Sequence, residues 1–247
     1  MIFQLYYMAS VYALKIDSEL NEDLYQILIN KTSTDKRNKI QKFARRDDKL
    51  RCLYADLLTR YILIRYLGFK NDAISFIYSS YGKPFIDGLK DVHFNISHSG
   101  EWVVCAIDEK PVGIDIEYIA PVNLEIAETY FSNSEKEQLF ALKQSEQLHF
   151  FYELWTFKES YLKLIGEGLS APLDSFSISI DQGKNVVLKS STEAPATFFF
   201  KQYNLDIQYM MAACALSDAF ENVALLSMQE INVFFSDAMG SIYSGGR

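Results

Sequence analysis

The sequence predicts an α+β protein built as two similar α+β halves that meet near residue 111. Three observations carry this reading. Each half begins near a strand, passes through helices and ends in strands. Val103-Val104-Cys105-Ala106 in the first half is matched in character by Met211-Ala212-Ala213-Cys214 in the second. A chain of 247 residues, 49% of them hydrophobic, can also bury a sizeable core, as one large domain or as two of about 110 to 125 residues. The expected division is an N-terminal half over 1–110, a C-terminal half over 111–226, and a loosely attached tail over 227–247.

The elements follow in order. Residues 3–14 read as a strand and 18–30 as a helix, with Ser18 as its N-cap. A long helix is expected over 35–67, because Phe43, Leu50, Leu53, Leu57, Tyr61, Ile64 and Leu67 recur at helical steps until Gly68. Residues 73–79 are strand-like, and Tyr81-Gly82-Lys83-Pro84-Phe85 is a turn that projects Lys83. In His93-Phe94-Asn95-Ile96-Ser97-His98-Ser99-Gly100, Phe94 and Ile96 alternate inward before the strand breaks. Strands are expected at 102–107 and 112–117. Short helices follow at 124–130 and 134–143, the second with a capping box from Ser134 and Glu137. A strong helix spans 147–165 and stops near Gly166 and Gly168. The remainder is strand-rich: 176–180, 185–189, 197–203, 208–216 and 222–227. The Phe234-Phe235 pair argues for some docking of the tail.

Composition narrows the functional classes. No apolar run reaches the length of a membrane span. The N-terminus lacks the basic region and cleavage site of a signal peptide, so a cytoplasmic protein with no membrane role is expected. Cys52, Cys105 and Cys214 are few and widely spaced, which suits reduced buried thiols. The net charge of −8 is uneven: residues 31–70 hold twelve Lys or Arg against four Asp. Such a segment attracts an anion locally, either nucleic acid or a small phosphorylated molecule, although most of these residues also suit a solvated helix face.

The chemistry centres on Val112-Gly113-Ile114-Asp115-Ile116-Glu117. On a strand, Ile114 and Ile116 share one face and Asp115 and Glu117 the other. Two adjacent carboxylates repel if buried alone, and a hard divalent cation such as magnesium removes the difficulty; a polar face turned to water is the simpler reading of that pair by itself. On the helix at 147–165, Trp155, Glu159 and Lys163 lie four apart on one face, where Glu159 and Lys163 suit a surface ion pair. His98 sits in a Ser/Gly-rich turn, free to reach a phosphate. Nucleophilic catalysis by a Ser-His pair is disfavoured, since no Gly-x-Ser-x-Gly elbow is present.

Taken together and in order, Gly82-Lys83-Pro84, Phe94 to Gly100, Gly113 to Glu117 and Trp155-Thr156-Phe157-Lys158-Glu159-Ser160 resemble the 4'-phosphopantetheinyl transferases, and most of all their large single-chain, surfactin-type subfamily. The resemblance covers residues 3 to 226. It implies halves related by a pseudo-twofold, with the active site at their interface. It implies transfer of the 4'-phosphopantetheine arm of coenzyme A to a serine of an apo peptidyl or acyl carrier protein, with release of adenosine 3',5'-bisphosphate. The carriers would belong to peptide synthetases or to fatty-acid or polyketide synthases. It makes Asp115, Glu117 and Glu159 the Mg2+ group and puts Lys83, Ser97 and His98 on the coenzyme. It makes Lys158 and Lys163 phosphate contacts, and places Lys36, Lys39 and Arg51 where the 3'-phosphate is held. Glu159, Lys163 and His98 are the residues expected to carry the chemistry, in a monomer whose halves mimic a dimer.

Two other readings stay open at this point. A different magnesium-dependent phosphotransferase would need a nucleotide signature, and no Gly-x-x-x-x-Gly-Lys-Ser/Thr occurs. A nucleic-acid binder using residues 31–70 is opposed by the overall acidity and the absence of a known binding motif.

Overall fold

The computed structural model describes residues 8–17, 19–166, 168, 172–181, 185–190 and 197–236. Strand β1 (Ala9–Lys15) leads into helices α1 (Glu22–Ile29), α2 (Thr34–Gln41) and α3 (Arg46–Leu67). A small hairpin, β2 (Phe76–Tyr78) and β3 (Pro84–Ile86), precedes β4 (His93–Ser99), β5 (Trp102–Asp108) and β6 (Val112–Tyr118). Helices α4 (Ala127–Tyr130), α5 (Asn133–Ala141) and α6 (Gln144–Ile165) come next. Strands β7 (Phe176–Ile180), β8 (Val186–Ser190), β9 (Phe199–Gln202), β10 (Tyr209–Ala215) and β11 (Phe220–Leu226) lead to helix α7 (Met228–Ser236).

Two sheets carry the fold, in the orders β11-β1-β5-β4 and β6-β10-β9. Side-chain alternation shows how they stack. Tyr12 and Leu14 of β1 and Val103, Cys105 and Ile107 of β5 pack with Leu53, Leu57 and Tyr61 of α3. Their alternates, Val11, Ala13, Val104 and Ala106, meet Ile114 and Ile116 of β6 and Met211 and Ala213 of β10. Beyond the second sheet, Ala212 packs with Leu154 and Phe157 of α6. The result is four layers: helix, sheet, sheet, helix. Covered on both faces, β5 and β10 are buried throughout and read as near-continuous apolar runs.

Both long helices have 22 residues and end on a glycine in the left-handed region, Gly68 at φ 74° and Gly166 at φ 78°. In the first sheet β1 pairs with β5, which pairs with β4; in the second β6 pairs with β10, which pairs with β9. The mixed helix and strand content agrees with the α+β expectation.

The structure departs from the sequence reading at several points. The helix expected over 35–67 is two helices. The first, α2, is polar with Ile40 as its buried residue, so it offers no apolar stripe for α3 to continue. The second restarts with Asp47 and Asp48 in its first turn, where a helix N-terminus favours acids. Asn21 caps α1, accepting from the backbone N–H of Leu24, whereas Ser18 lies outside the described residues, as do residues 3–7 of the expected first strand. The strand expected over 73–79 shortens to β2 because 71–73 form a tight helical turn, and Pro84–Ile86, whose first two residues are expected in the turn at 81–85, pairs with it as β3. The capping box is Ser132 with Glu135, not Ser134 with Glu137. Both pairs have the same spacing; Glu135 prevails because it is also buried against Lys158.

The expected tail and half-boundary also need correction. Strand β11 lies parallel to β1 and so belongs to the first sheet. Helix α7 docks there: Ile231 and Phe235 enter the cluster around α3, the Tyr54 hydroxyl donates to Asn232 at 2.7 Å, and the Tyr61 hydroxyl donates to Glu230 at 2.5 Å. Residues 228–236 are therefore fixed to the N-terminal half by apolar burial, not loosely attached; 237–247 lie outside the described residues.

Candidate active site

The site begins with how closely α6 lies on β6. A Cβ on Gly113 would stand 1.9 Å from the Ser160 carbonyl oxygen and 2.6 Å from the Leu164 nitrogen. Only a residue without a side chain permits that approach, and Ser160 on the helix is fully buried against it. The contact sets Glu159 and Lys163 over the face of β6 that carries Asp115 and Glu117, while Ile114 and Ile116 point into the intersheet core. The predicted alternation of β6 is thus observed. The carboxylate face is not turned to water, however: Asp115 is 2% exposed and Glu117 is half-buried.

Lys163 Nζ lies 2.6 Å from Asp115 Oδ1 and donates to Ser97 Oγ at 2.8 Å. The expected surface pair of Lys163 with Glu159 is replaced by this half-buried one, because the helix face meets β6 and not solvent. Ser97 donates to Asp115 Oδ1 at 2.9 Å, and Ser99 donates to Glu117 Oε2 at 2.9 Å. Desolvation, then Asp115, and among other groups Glu159, push the Glu117 carboxyl up to about 7. Glu159 is raised as well, by desolvation and then by Asp115. Glu117 thus feels the charges of Asp115 and Glu159, and Glu159 that of Asp115.

Among the described residues no three Asp, Glu, His or Cys side chains are already gathered as a metal cage. Two buried oxygens, Asp115 Oδ2 and Glu159 Oε1, nevertheless have no hydrogen-bond partner. Buried carboxylate oxygens without donors are costly. Hard oxygen donors of this kind suit magnesium, which needs only a few carboxylates beside water and phosphate. The donor set therefore fits that ion.

The raised Glu117 carboxyl has a consequence for folding. Its ordinary value is 4.5 and its folded value about 7, so ionising it disfavours the folded state. Its contribution to stability is fully present below about pH 4.5 and is lost as pH rises through about 7. In EDTA, Glu117→Gln is expected to melt above the parent at about pH 8, with the gain disappearing by about pH 4. Calorimetry at both pH values checks this; an equal difference at both would show that the carboxyl is not perturbed.

His98 stands on the next position of β4, exposed at the rim. Partial desolvation, together with the charges of Lys163, Arg51 and Lys36, lowers its pKa and favours the neutral ring. Arg51 donates to the Gly100 carbonyl at 2.8 Å and pairs with Asp48 at 2.6 Å, tying α3 to the turn after His98. Lys36 lies 4.0 Å from Asp56, which is itself paired with Arg60 at 2.6 Å. Lys39 is exposed in the last turn of α2.

Two expected coenzyme contacts are positioned elsewhere. Lys83 donates to the carbonyls of Lys163 at 2.6 Å and Leu164 at 2.9 Å, closing the last turn of α6, where a cation suits the helix dipole. Desolvation pushes its pKa down to about 8. Lys158 is wholly buried on another face of α6, with Nζ 2.7 and 2.8 Å from the two Glu135 oxygens and 2.8 Å from the Phe176 carbonyl. It anchors α6 to α5 and β7 and does not reach the carboxylates, because position 158 points well away from 159 and 163 around the helix. Ser99 was given no role by the motif, although its place two residues after Ser97 on a strand already put both hydroxyls on one face.

The profile of the 4'-phosphopantetheinyl transferase superfamily matches residues 111–214, and that of the 4'-phosphopantetheinyl transferase N-terminal region matches 20–110. The chain is 39% identical over 222 residues to 4'-phosphopantetheinyl transferase Sfp of Bacillus subtilis (strain 168), covering 90% of this chain and 99% of that protein. It is 38% identical to the 4'-phosphopantetheinyl transferase gsp of Aneurinibacillus migulanus, covering 91% and 94% of the two chains. A holo-(acyl-carrier-protein) synthase from Bacillus anthracis, solved in complex with CoA (3',5'-ADP), overlaps 43% of this chain and 94% of its own at 21% identity and a TM-score of 0.38, too partial a superposition to carry weight. With such identity over nearly the whole length of its relatives, this chain belongs to the 4'-phosphopantetheinyl transferase superfamily.

Proposed function

We propose that the protein transfers the 4'-phosphopantetheine arm of coenzyme A to a serine of an apo peptidyl or acyl carrier protein and releases adenosine 3',5'-bisphosphate. The family supports the reaction. The observation that carries it in this chain is the pair of unpartnered buried oxygens, Asp115 Oδ2 and Glu159 Oε1, with Lys163 and Ser97 on the other Asp115 oxygen. Asp115, Glu117 and Glu159 would hold Mg2+, which when bound neutralises charge on the pyrophosphate oxygens. The serine Oγ forms a bond to the phosphorus that carries the pantetheine, and the bond from that phosphorus to the bridging oxygen breaks. Glu159, whose carboxyl is raised by desolvation and then by Asp115, accepts the serine proton. Lys163 faces the charge gathering on the phosphates, and the neutral His98 ring donates one N–H to them. The repeated strand and helix order supports halves related by a pseudo-twofold, with one such site per monomer. A cytoplasmic setting suits a reaction that draws on coenzyme A, and no described helix is long and apolar enough to cross a membrane.

The direct test mixes protein, coenzyme A, Mg2+ and an apo carrier domain. The expected result is a mass gain of one phosphopantetheine on the carrier serine and equimolar adenosine 3',5'-bisphosphate. A carrier of unchanged mass would refute the reading. Within the same reading, Lys36, Lys39 and Arg51 hold the 3'-phosphate. Lys39 is exposed and separate from the packing of α3, so Lys39→Ala is expected to raise KM for coenzyme A about fivefold, leave KM for 3'-dephospho-coenzyme A unchanged, and preserve the melting temperature. Equal effects on both substrates would place Lys39 elsewhere.

A further inference from the structure

Strands β4 and β6 are the facing edges of the two sheets, and among the described residues no main-chain ladder joins them. A row of side chains does so instead. The N–H of Ile114 donates to Asn95 Oδ1 at 2.8 Å, that of Ile116 to Ser97 Oγ at 3.4 Å, and that of Tyr118 to Ser99 Oγ at 3.0 Å. The steps of two on both strands show that they run in the same direction, in register.

The three rungs differ in what lies beyond them. The Asn95 rung is buried and has no carboxylate, so it serves the seam alone. The Ser97 hydroxyl is shared with Lys163 and belongs to the Asp115 pair. At Ser99 the hydroxyl has one proton and receives the Tyr118 N–H, so its own proton is directed to Glu117 Oε2 at 2.9 Å. Glu117 is half-buried, and this hydrogen bond fixes the direction in which its Oε2 is held.

We propose that Ser99 is a positioning residue that orients the Glu117 carboxylate for the magnesium site. The inference rests on the reading of Asp115, Glu117 and Glu159 as that site. Ser99 touches neither reactant; it acts through Glu117. Partners of a metal-bound carboxylate matter in this way because they fix its direction, and losing one costs about 10- to 100-fold in metal affinity.

The test is calorimetric titration of Mg2+ into the full chain with saturating coenzyme A and no carrier, so that binding is read without turnover. Ser99→Ala is expected to weaken Mg2+ binding at least tenfold. Its melting temperature should stay near that of the parent, since the Tyr118 N–H lies at an exposed position where water replaces the lost acceptor. Ser99→Thr keeps the hydroxyl on a backbone that favours β-branched residues and should restore the affinity. Asn95→Ala is the structural counterpart: it should lower the melting temperature while the folded fraction binds Mg2+ as the parent does. If the parent binds Mg2+ and Ser99→Ala binds it equally well, the role of Ser99 is overturned and the metal reading survives. Failure of Ser99→Thr to restore affinity would also overturn it. If the parent binds no Mg2+, both fall together.

Discussion

Asp115→Asn is expected to lower the rate of arm transfer about a thousandfold with little change in melting temperature. A metal and its ligands contribute several kcal/mol to charge stabilisation in the transition state, and each tenfold in rate corresponds to about 1.4 kcal/mol. Asparagine preserves the shape of the side chain and an oxygen that can accept from Lys163 and Ser97, the two groups now bonded to Oδ1. What it removes is the charge. That charge also raises Glu117 and Glu159, so its loss eases their ionisation and offsets the weakened pair with Lys163. Alanine would be a poorer probe, because it would leave the Lys163 ammonium facing an empty position. Single-turnover transfer and calorimetry on the same preparation check the expectation. A fall in melting temperature that accounts for the lost activity would make Asp115 a structural residue.

Gly113→Ala should have the largest effect on folding of any single methyl addition near the site. The added Cβ would meet main-chain atoms of Ser160 and Leu164, which cannot turn aside as a flexible side chain does. Either α6 lifts from β6 or β6 bends, and overpacking of this kind costs about 3 kcal/mol. In a chain of this size that lowers the melting temperature by roughly 6–12 °C. Activity should fall further than the unfolded fraction explains, because α6 carries Glu159 and Lys163 on the helix that is displaced. Measuring the melting temperature together with the turnover of the folded fraction separates the two effects. A variant that melts with the parent and retains its turnover would show that helix and strand are not held by this contact.

How much of this was legible in the sequence follows from the range of the forces involved. The alternation of Ile114, Asp115, Ile116 and Glu117 is local, and so is the spacing of Glu159 and Lys163; both appear in the structure as read. The union of these elements was implied by the family resemblance, and Gly113, part of its motif, turns out to be the residue that lets them touch. What local pattern could not give was which way each lysine turns. Lys158 and Lys163 sit on the same helix in one motif, yet the first is buried with Glu135 and the second meets Asp115. The choice depends on α5 and β7, far from the motif in sequence. The turn at Gly82-Lys83-Pro84 projects Lys83, which the resemblance puts on the coenzyme, whereas helix carbonyls eighty residues later receive it. The docking of α7 was half visible: Phe235 is buried as the aromatic pair suggested, but its partners on α3 could not be named from periodicity. The split between α2 and α3 is not visible in the apolar stripe, because Phe43 continues its spacing while the polar stretch before it offers no apolar face.

The central claim is that Asp115, Glu117 and Glu159 jointly hold one metal ion against the coenzyme pyrophosphate. The measurement that tests it most directly is a crystal structure of the protein with coenzyme A and Mn2+, read by anomalous scattering. A single metal peak on the pyrophosphate is expected, with each of the three carboxylates bound to the ion or to one of its water ligands. A peak served by other residues, or a bound coenzyme with these carboxylates too far apart to share one ion and its waters, would contradict it.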